Sequence, residues 1–342
     1  MLTRIDHVMI CVPDLEEGIA AFRRIGFTVT PGGVHPGKGT HNAIAFHRED
    51  YLELLSVHDR AEQARAASAP DSLDGGLLDL LARGGGFRYV IVQSDDLPAD
   101  VLAMRRRGVE VSDAVEGGRR TPAGRELRWR AARLTDAKDP LPIFFLEHLT
   151  PLEERRPPEA RAGHPNGVLG TDRVYIAVPD VAAAAEVYGR VLGLPVPKIQ
   201  RGNVIKADMA VFNLGPTGLV VAQPAEPGPA AEAYGRVLGM TVPPVQRGNV
   251  IKADMAVFEL GPTGLTVAQP AEPGPAAEAL SRMGPGPFQV LYRTSSMDAA
   301  ARFMADHGVP PPARGIRNTG EQAMLVGPPD ACGAYIGFVG PA

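Results

Sequence analysis

The feature that most restricts the fold of this chain is a pattern of strand, turn and helix that occurs more than once. Residues 4–27 (RIDHVMICVPDLEEGIAAFRRIGF) and 171–194 (TDRVYIAVPDVAAAAEVYGRVLGL) share an apolar strand, a Val-Pro-Asp turn and a helical segment. In each, the aspartate is placed to cap the helix and a glycine to end it. Residues 87–111 and 288–311 begin in a similar way. The chain therefore contains four versions of one opening motif.

Each opening motif leads to segments with the composition and alternation of strands. The sequence therefore predicts an α+β protein built from four βαβββ units. The clearest later strands are expected at 41–47, 51–57, 127–134, 143–149, 205–214, 218–224, 321–327 and 333–339.

A tandem duplication lies within the third unit. Residues 185–230 are repeated as 231–276, with seven differences, so that 39 of 46 positions match. The segment contains the helix and later strands of the unit but not its opening strand. Because the nearer copy closes the shorter loop, we predict that 185–230 completes the third unit. The copy 231–276 is then an insertion at a sheet edge, where it would favour a homodimer.

The composition limits the classes of function. Hydrophobic residues make up 44% of the chain and charged residues 22%, as in globular proteins, and no apolar run is long enough for a membrane helix. A net charge of −4 gives no reason to expect binding to nucleic acid. Two cysteines and no apolar signal segment in residues 1–15 favour a reducing, cytoplasmic location. A charged, proline-rich stretch predicts domains at 1–150 and 171–342, joined by a linker at 151–170.

Several motifs between residues 4 and 167 resemble those of one family. They are IDHVMICVPDLEEG, PGGVHPGKGTHNAIAF, YLELLSV, LPIFFLEH and HPNG. Together they are similar to the glyoxalase-like domain proteins of the vicinal oxygen chelate superfamily, whose fold is shared by glyoxalase, bleomycin-resistance proteins and dioxygenases. The resemblance implies that the four units pair into two cup-shaped sheets. Beyond residue 171 the chain resembles the superfamily only through the repeated unit.

The resemblance also implies a metal site in the first cup. Ligands in such proteins come from the first and last strands of each unit, which here offer His7, Glu53 and Glu147. The fourth position falls on Tyr89, which is then a candidate substrate-binding residue. One imidazole and two carboxylates suit one divalent ion such as Mn²⁺, Fe²⁺, Ni²⁺ or Zn²⁺. Either glutamate is also a candidate general base.

Other polar residues are candidates for binding the substrate. Lys38 and His41 belong to a glycine-rich loop, HPGKGT, which would close over a ligand or bind an oxyanion through backbone N–H groups. Arg128 and Arg130 alternate with a tryptophan on a strand and would hold a carboxylate in the cup. Arg88 is a further candidate, either for the substrate or as an ion-pair partner of a buried glutamate.

The C-terminal half has lost the expected ligands. The position of His7 is taken by Arg173, and that of Glu53 by Val220 in one copy and Thr266 in the other. We therefore expect this half to be a scaffold, an interface or a metal-free binding cup.

The leading hypothesis is a metal-dependent enzyme of lyase or isomerase type. It would act on a small, oxygen-rich substrate through an anionic, enediolate-like intermediate. One alternative is a non-haem iron ring-cleaving dioxygenase, and another is a non-catalytic resistance protein that binds a drug or metabolite.

Overall fold

The computed structural model describes residues 1–68, 75–135, 141–178, 180–196, 199–202, 207–214, 216–223, 253–270, 274–317 and 320–341. Strands and helices alternate along the chain, and the α+β class is confirmed. The strands of the N-terminal half are β1 (Leu2–Cys11), β2 (Thr30–His35), β3 (Thr40–Phe46), β4 (Tyr51–Val57), β5 (Gly86–Ser94), β6 (Val115–Arg120), β7 (Glu126–Arg133) and β8 (Ile143–His148). The later strands are β9 (Val168–Ala177), β10 (Ile199–Gly202), β11 (Ala207–Leu214), β12 (Pro216–Gln223), β13 (Ala253–Pro270), β14 (Gly286–Thr294), β15 (Ala313–Ile316), β16 (Gln322–Val326) and β17 (Tyr335–Gly340).

The described helices begin and end largely where the capping residues predict. Asp14 accepts a hydrogen bond from the Glu17 N–H at 2.9 Å, and Asp180 caps its helix in the same way. Gly193 ends the latter helix with φ +73°, a conformation that favours glycine. No described helix meets the length and hydropathy needed to cross a bilayer. The helices are α1 (Leu15–Arg24), α2 (Arg60–Ala67), α3 (Leu77–Ala82), α4 (Leu97–Arg106), α5 (Leu152–Arg155), a 3₁₀ helix (Pro158–Ala162), α6 (Val181–Leu192), α7 (Pro275–Met283) and α8 (Met297–Asp306).

The first eight strands form a closed barrel in the order β1-β4-β3-β2-β6-β7-β8-β5. Strand β1 pairs in parallel with β4 and antiparallel with β5, which joins the two units on one side. A contact between Val34 and Arg120 joins β2 to β6 on the other side. The cup-shaped sheet predicted for the first two units is a closed barrel, because both edges of the two units are paired.

Residues alternate along the barrel strands between its interior and the surrounding helices. Val8 and Ile10 of β1 pack in the same cluster as Phe22 of α1, outside the barrel. Consequently His7 and Met9 face the interior, where Met9 packs with an inward cluster that also contains Leu146.

The second sheet has nine described strands, in the order β10-β11-β12-β13-β9-β14-β17-β16-β15. Residues 264–268 of β13 pair in parallel with 173–177 of β9. These residues belong to the second copy of the duplicated segment, so the prediction that the copy 185–230 supplies this strand is wrong. Each doubling of loop length costs only about 0.6 kcal/mol, so loop closure is a weak criterion between two such similar strands. The predicted helix of the second copy lies outside the described residues.

The two halves share one continuous apolar core. The ring of Phe27 lies 5.1 Å from that of Tyr292, and Asp50 accepts a hydrogen bond from the Thr171 N–H at 2.7 Å. Between the barrel and β9, the predicted linker contains α5 and the 3₁₀ helix. The division into domains at 150 and 171 stays a prediction.

Candidate functional site

A buried ionic cluster lies inside the N-terminal barrel, with His7 at its centre. His7 is 3% exposed, and its Nδ1 lies 2.7 Å from Asp6 Oδ2. On the other side of the ring, Nε2 lies 3.3 Å from Glu53 Oε2. Burial alone would lower the pKa of His7, but the two carboxylates outweigh it and raise this pKa above its ordinary value. The two acids therefore favour the protonated form of the imidazole between them.

A bulge in β1 allows consecutive residues to join this cluster. The register between β1 and β5 shifts between Ile5 and His7, so Asp6 does not simply alternate with its neighbour. Asp6 is fully buried and also binds His148, whose Nε2 lies 2.9 Å from Asp6 Oδ1. Although burial opposes its ionisation, the contacts with His148 and His7 hold the pKa of Asp6 well below its usual range. One carboxylate thus orients two imidazoles.

Glu53 is the second buried acid of the cluster. It follows Tyr51 and Leu52 on β4, and Asn42 of β3 donates from Nδ2 to Glu53 Oε1 at 2.6 Å. Burial raises the pKa of Glu53, but the hydrogen bond and charge of His7 dominate and bring it to about 2. We call Asp6, His7 and Glu53 the triad.

An aromatic residue and an arginine lie next to the triad. The ring of Tyr51 stacks on His7 with centroids 4.2 Å apart and an angle of 14°. Arg119 is 8% exposed, and it donates to the Gly32 carbonyl. Burial lowers its pKa, while the negative charges nearby, including Glu53, oppose that change. The triad therefore lies between an apolar ring and a buried cation.

The structure places Glu147 away from the triad. It shares a face of β8 with Phe145, which packs outside the barrel, whereas His148 shares a face with the inward Leu146. Glu147 Oε2 accepts a hydrogen bond from the Leu97 N–H at 3.1 Å, at the start of α4, and lies 3.4 Å from Arg130. The prediction that Glu147 lies with His7 and Glu53 in one site is therefore wrong. Strand β8 directs the side chain of His148 into the interior instead.

The two arginines of β7 lie outside the barrel as well. Arg128 pairs with Glu116, and Arg130 lies between Glu116 and Glu147. Trp129, the residue between them, packs against the inward cluster. The expectation that these arginines line the cup is therefore wrong, because the alternation of β7 has the opposite phase.

Tyr89 and Arg88, two further residues expected to bind the substrate, differ in their position relative to the barrel interior. Tyr89 packs against the inward cluster, its ring 5.5 Å from that of Phe144. Arg88 donates to the Gly75 carbonyl at 2.7 Å, and its guanidinium lies 5.0 Å from the centre of the Tyr89 ring. Of these two side chains, only Tyr89 contacts the barrel interior.

The glycine-rich loop lies at the β2–β3 turn. Lys38 is exposed there, and the ring of His41 lies 5.5 Å from that of His58. The Gly39 carbonyl accepts the N–H groups of residues 58 and 59, and the Gly37 N–H donates to Glu62. The loop is thereby anchored on α2, and it is Asn42, the residue after His41, that contacts Glu53.

The donors in the barrel do not fit a resident metal ion as the structure arranges them. His7 Nε2 and Glu53 Oε2 contact each other, the second Glu53 oxygen already accepts a hydrogen bond from Asn42, and Asp6 is bound by His7 and His148. His148 Nδ1 is buried without a partner, but its Nε2 is bound to Asp6. Within the described ranges, no group of three or more His, Cys, Asp or Glu side chains is placed to hold an ion.

A cleft of about 680 Å³ is lined by residues of strands β2, β3 and β6 and of the segment 154–159. Ile44, Phe46 and Arg119 line it, and the Phe46 ring lies 5.5 Å from that of Tyr51, which stacks on His7. The volume falls within the range of sites for small molecules. Five arginines contribute to the wall, and we call this space the arginine cleft; they are Arg23, Arg119, Arg125, Arg155 and Arg156.

Asp6, Asn42, Arg119 and His148 were not among the residues expected from the sequence. The charged Asp6 in an apolar strand was a usable signal, since a buried carboxylate needs a partner. The choice between Glu147 and His148 depended on the phase of β8, which residues 143–148 do not reveal because both faces are apolar.

Comparisons with known proteins agree with the fold. A family model described as a glyoxalase-like domain matches residues 5–192, more than half of the chain. A hypothetical protein from Staphylococcus aureus has 12% identity and a TM-score of 0.58, covering 98% of this chain and 99% of its own. A mutant of 4-hydroxymandelate synthase from Streptomyces coelicolor has 14% identity and a TM-score of 0.58, covering 100% of this chain and 93% of its own. Comparison with curated proteins returns no match.

Proposed function

This chain belongs to the glyoxalase-like domain family, and on that premise we propose that it is an enzyme that moves a proton on a small, oxygen-rich substrate in the N-terminal barrel. The observation that carries the proposal is the triad, in which a buried imidazole with a raised pKa contacts two buried acids whose pKa values are lowered. Buried acids and bases with displaced pKa values are typical of sites that transfer protons. The reaction would be of isomerase or lyase type.

The two sides of His7 would have different tasks. Asp6 fixes the ring through Nδ1, so that the Nε2–H can donate to the oxygen of a substrate carbonyl as negative charge develops on it. The carboxylate of Glu53, next to Nε2, would take the proton from the carbon beside that carbonyl. In an isomerase, the proton returns to the carbon of the original carbonyl while the proton of the neighbouring hydroxyl passes to the original carbonyl oxygen; in a lyase, the proton leaves with the departing group.

Binding of the substrate would itself increase the basicity of Glu53. In the resting site, His7 and Asn42 both stabilise its carboxylate, and its pKa is about 2. A substrate oxygen that accepts the Nε2–H takes one of these donors away. Glu53 then becomes a stronger base at the moment when the substrate proton is within reach.

The metal-dependent and oxygenase hypotheses receive less support. Both need at least three converging ligands, and the described side chains provide two, since Glu147 lies at the start of α4. The proposed proton transfer uses groups that are already in contact.

Proton exchange in D₂O tests the proposal. We would follow by NMR the loss of the C–H signal beside the carbonyl in dihydroxyacetone, dihydroxyacetone phosphate and 2-oxoglutarate. The wild-type protein should accelerate exchange in at least one probe. His7→Gln and Glu53→Gln should each slow the catalysed exchange by about 100-fold or more, as expected for loss of an acid or base.

The controls separate this proposal from its rivals. Glu116→Gln, on the outer face of the barrel, should leave the exchange rate unchanged. One tightly bound metal ion per chain that is lost in His7→Gln, measured by elemental mass spectrometry, would overturn the metal-free proposal. Binding of all three probes without exchange would instead favour a non-catalytic binding protein.

A further inference from the structure

The arginine cleft concentrates positive charge, and none of its guanidinium groups forms an ion pair with a described carboxylate. Arg119 and Arg155 are 8% and 9% exposed, yet no described carboxylate lies within 4 Å of either guanidinium. The same holds for the other three arginines of the cleft. Glu154 and Glu159 also line it, both exposed, so the lining carries five positive and two negative charges, a net +3.

Backbone carbonyls hold the guanidinium groups instead. Arg23 donates to the Val29 carbonyl at 2.8 Å, and Arg125 to that of Glu154 at 2.9 Å. Arg155 donates from Nε to the Thr150 carbonyl at 3.1 Å. A carbonyl fixes the direction of a guanidinium but does not cancel its charge. The arginines are thus positioned while their charge remains available.

The charge of these groups is costly unless a ligand compensates it. Removing an ion from water costs several kcal/mol after relaxation, and a neutral carbonyl recovers only part of this. Arg156 Nε is buried and has no hydrogen-bond partner, although its Nη2 donates to the His47 and Arg48 carbonyls. The unpaired Nε–H of Arg156 is a donor that an oxyanion in the cleft would satisfy.

The cleft also has room for the carbon skeleton of a ligand. Phe27, Ile44 and Phe46 add apolar surface to the lining, and the Arg156 guanidinium lies 6.0 Å from the centre of the Phe46 ring. Arg119 lines the cleft, and the negative charge of Glu53 interacts electrostatically with its guanidinium. One molecule could therefore hold an anionic group among the arginines and direct a less polar part toward the triad.

We propose that the arginine cleft binds the oxyanion of the substrate, a phosphate ester or a dicarboxylate, and so selects anionic substrates for the barrel. That the anion belongs to the substrate rests on the proposed function, whereas anion binding by the cleft does not.

Calorimetric titration at low ionic strength tests the binding, with inorganic phosphate and malonate as probes. The wild-type protein should bind at least one of them, and the preferred probe identifies which oxyanion the cleft fits. Arg119→Gln and Arg155→Gln should each weaken binding by about tenfold or more, the effect of losing a charge-assisted hydrogen bond. Arg105→Gln, whose guanidinium pairs with Asp113 on the surface, should bind as the wild type does.

A second measurement separates ligand binding from a structural role of the arginines. Because the cations of the cleft oppose folding unless a ligand is bound, Arg119→Met should keep or raise the unfolding temperature while it lowers anion affinity. A lower unfolding temperature with unchanged affinity would overturn the proposal. Equal affinity in wild type and both glutamine variants, or no binding of either probe, would overturn it too.

Failure of this inference is distinguishable from failure of the proposed function. His7→Gln should abolish proton exchange but still bind phosphate or malonate. Exchange on neutral dihydroxyacetone without any anion binding would leave the enzyme proposal intact and remove the arginine cleft from it. Anion binding with no exchange in any probe would leave the arginine cleft as an anion site and overturn the enzyme proposal.

Discussion

Asp6 accepts hydrogen bonds from His7 and His148, and it makes these contacts from a fully buried position. A carboxylate in such a place stabilises the fold only while both imidazoles are present to compensate its charge. Its role in the site is to set the orientation of His7, and through it the direction of the Nε2–H. Asp6 is therefore a positioning residue, and its loss should affect both stability and the titration of His7.

Asp6→Asn tests this role. The amide has no negative charge, so the pKa of His7 should fall below its wild-type value, as measured by NMR titration of the imidazole. We expect the free energy of unfolding in urea to fall by about 3 kcal/mol, the effect of breaking a buried ion pair. Asp113→Asn, in an exposed pair with Arg105, is the matched control and should change stability little. An unchanged His7 pKa would contradict the assigned contact.

The limits of the sequence are clearest at this scale. The family resemblance places His7 and Glu53 in one cup, and the structure brings their side chains within 3.3 Å. The sequence does not predict Asp6, since simple alternation would turn that side chain away from His7, and only the bulge between residues 5 and 7 brings it in. The sequence also does not determine which face of β8 points inward, and in the structure that face carries His148 and not Glu147.

Among the elements, the turn between β2 and β3 shows how an apparent ligand loop is used to anchor a helix. A glycine-rich segment predicts either a mobile lid or an anchored turn, and composition alone cannot decide. Here Gly39 has φ +65°, and a Cβ at this position would lie 2.3 Å from the Asp59 carbonyl oxygen and 2.4 Å from the Gln63 nitrogen. The loop packs against the start of α2 so closely that only glycine fits.

Gly39→Ala should therefore destabilise the protein by about 2 kcal/mol or more, through backbone overlap and the left-handed conformation together. Gly37→Ala provides the comparison within the same turn, because φ is +74° there but no atom lies within 4 Å of the added Cβ. We expect it to cost about 1 kcal/mol, from the conformation alone. Urea unfolding of both variants measures the difference. Equal losses of stability in the two variants would mean that the loop is not packed against α2.

Glu147 of β8, predicted as a metal ligand, also has a structural role instead. The carboxylate that the strand sequence suggests as a ligand accepts a hydrogen bond at the first turn of α4, where Asp96 also caps the helix. Negative charge at a helix N-terminus is favourable. The outward face of β8 thus fastens α4 to the barrel.

At the scale of the whole molecule, two histidines connect the halves through a neutral contact. Thr28 N–H donates to His164 Nδ1 at 3.0 Å, so His164 Nε2 carries the proton and donates to His47 Nδ1 at 2.8 Å. The ring of His47 lies 4.9 Å from that of Tyr292 of the second sheet. Burial lowers the pKa of both histidines to about 3.

This junction should weaken in acid. The unfolded chain protonates these histidines below their ordinary pKa of about 6.5, whereas the folded protein keeps them neutral until about pH 3. The free energy of unfolding should therefore fall with pH between 6.5 and 3, by up to about 1.4 kcal/mol per pH unit for each histidine. His164→Gln, which can make both hydrogen bonds, should reduce this slope in urea unfolding measured at several pH values. The exposed His307→Gln should leave it unchanged, and an equal slope in both variants would contradict the prediction.

The sequence predicts more of the architecture than of the site. Strands such as β4 and β7 and the capped helices begin within a residue or two of the expected positions, because alternation and capping are local signals. Closure of the barrel and the choice of strand beside β9 depend on contacts between distant segments, and no local pattern contains them.

The duplication has a consequence for how the second sheet forms. Residues 218–222 and 264–268 differ only at Val220 and Thr266, and β9 accepts the latter segment as its parallel neighbour. A folding chain consequently meets two competing partners of nearly equal energy for one place, which is a local form of frustration. The N-terminal barrel has no such ambiguity in its sequence. Its assembly should precede that of the second sheet, which must discard wrongly paired states before it reaches its final order.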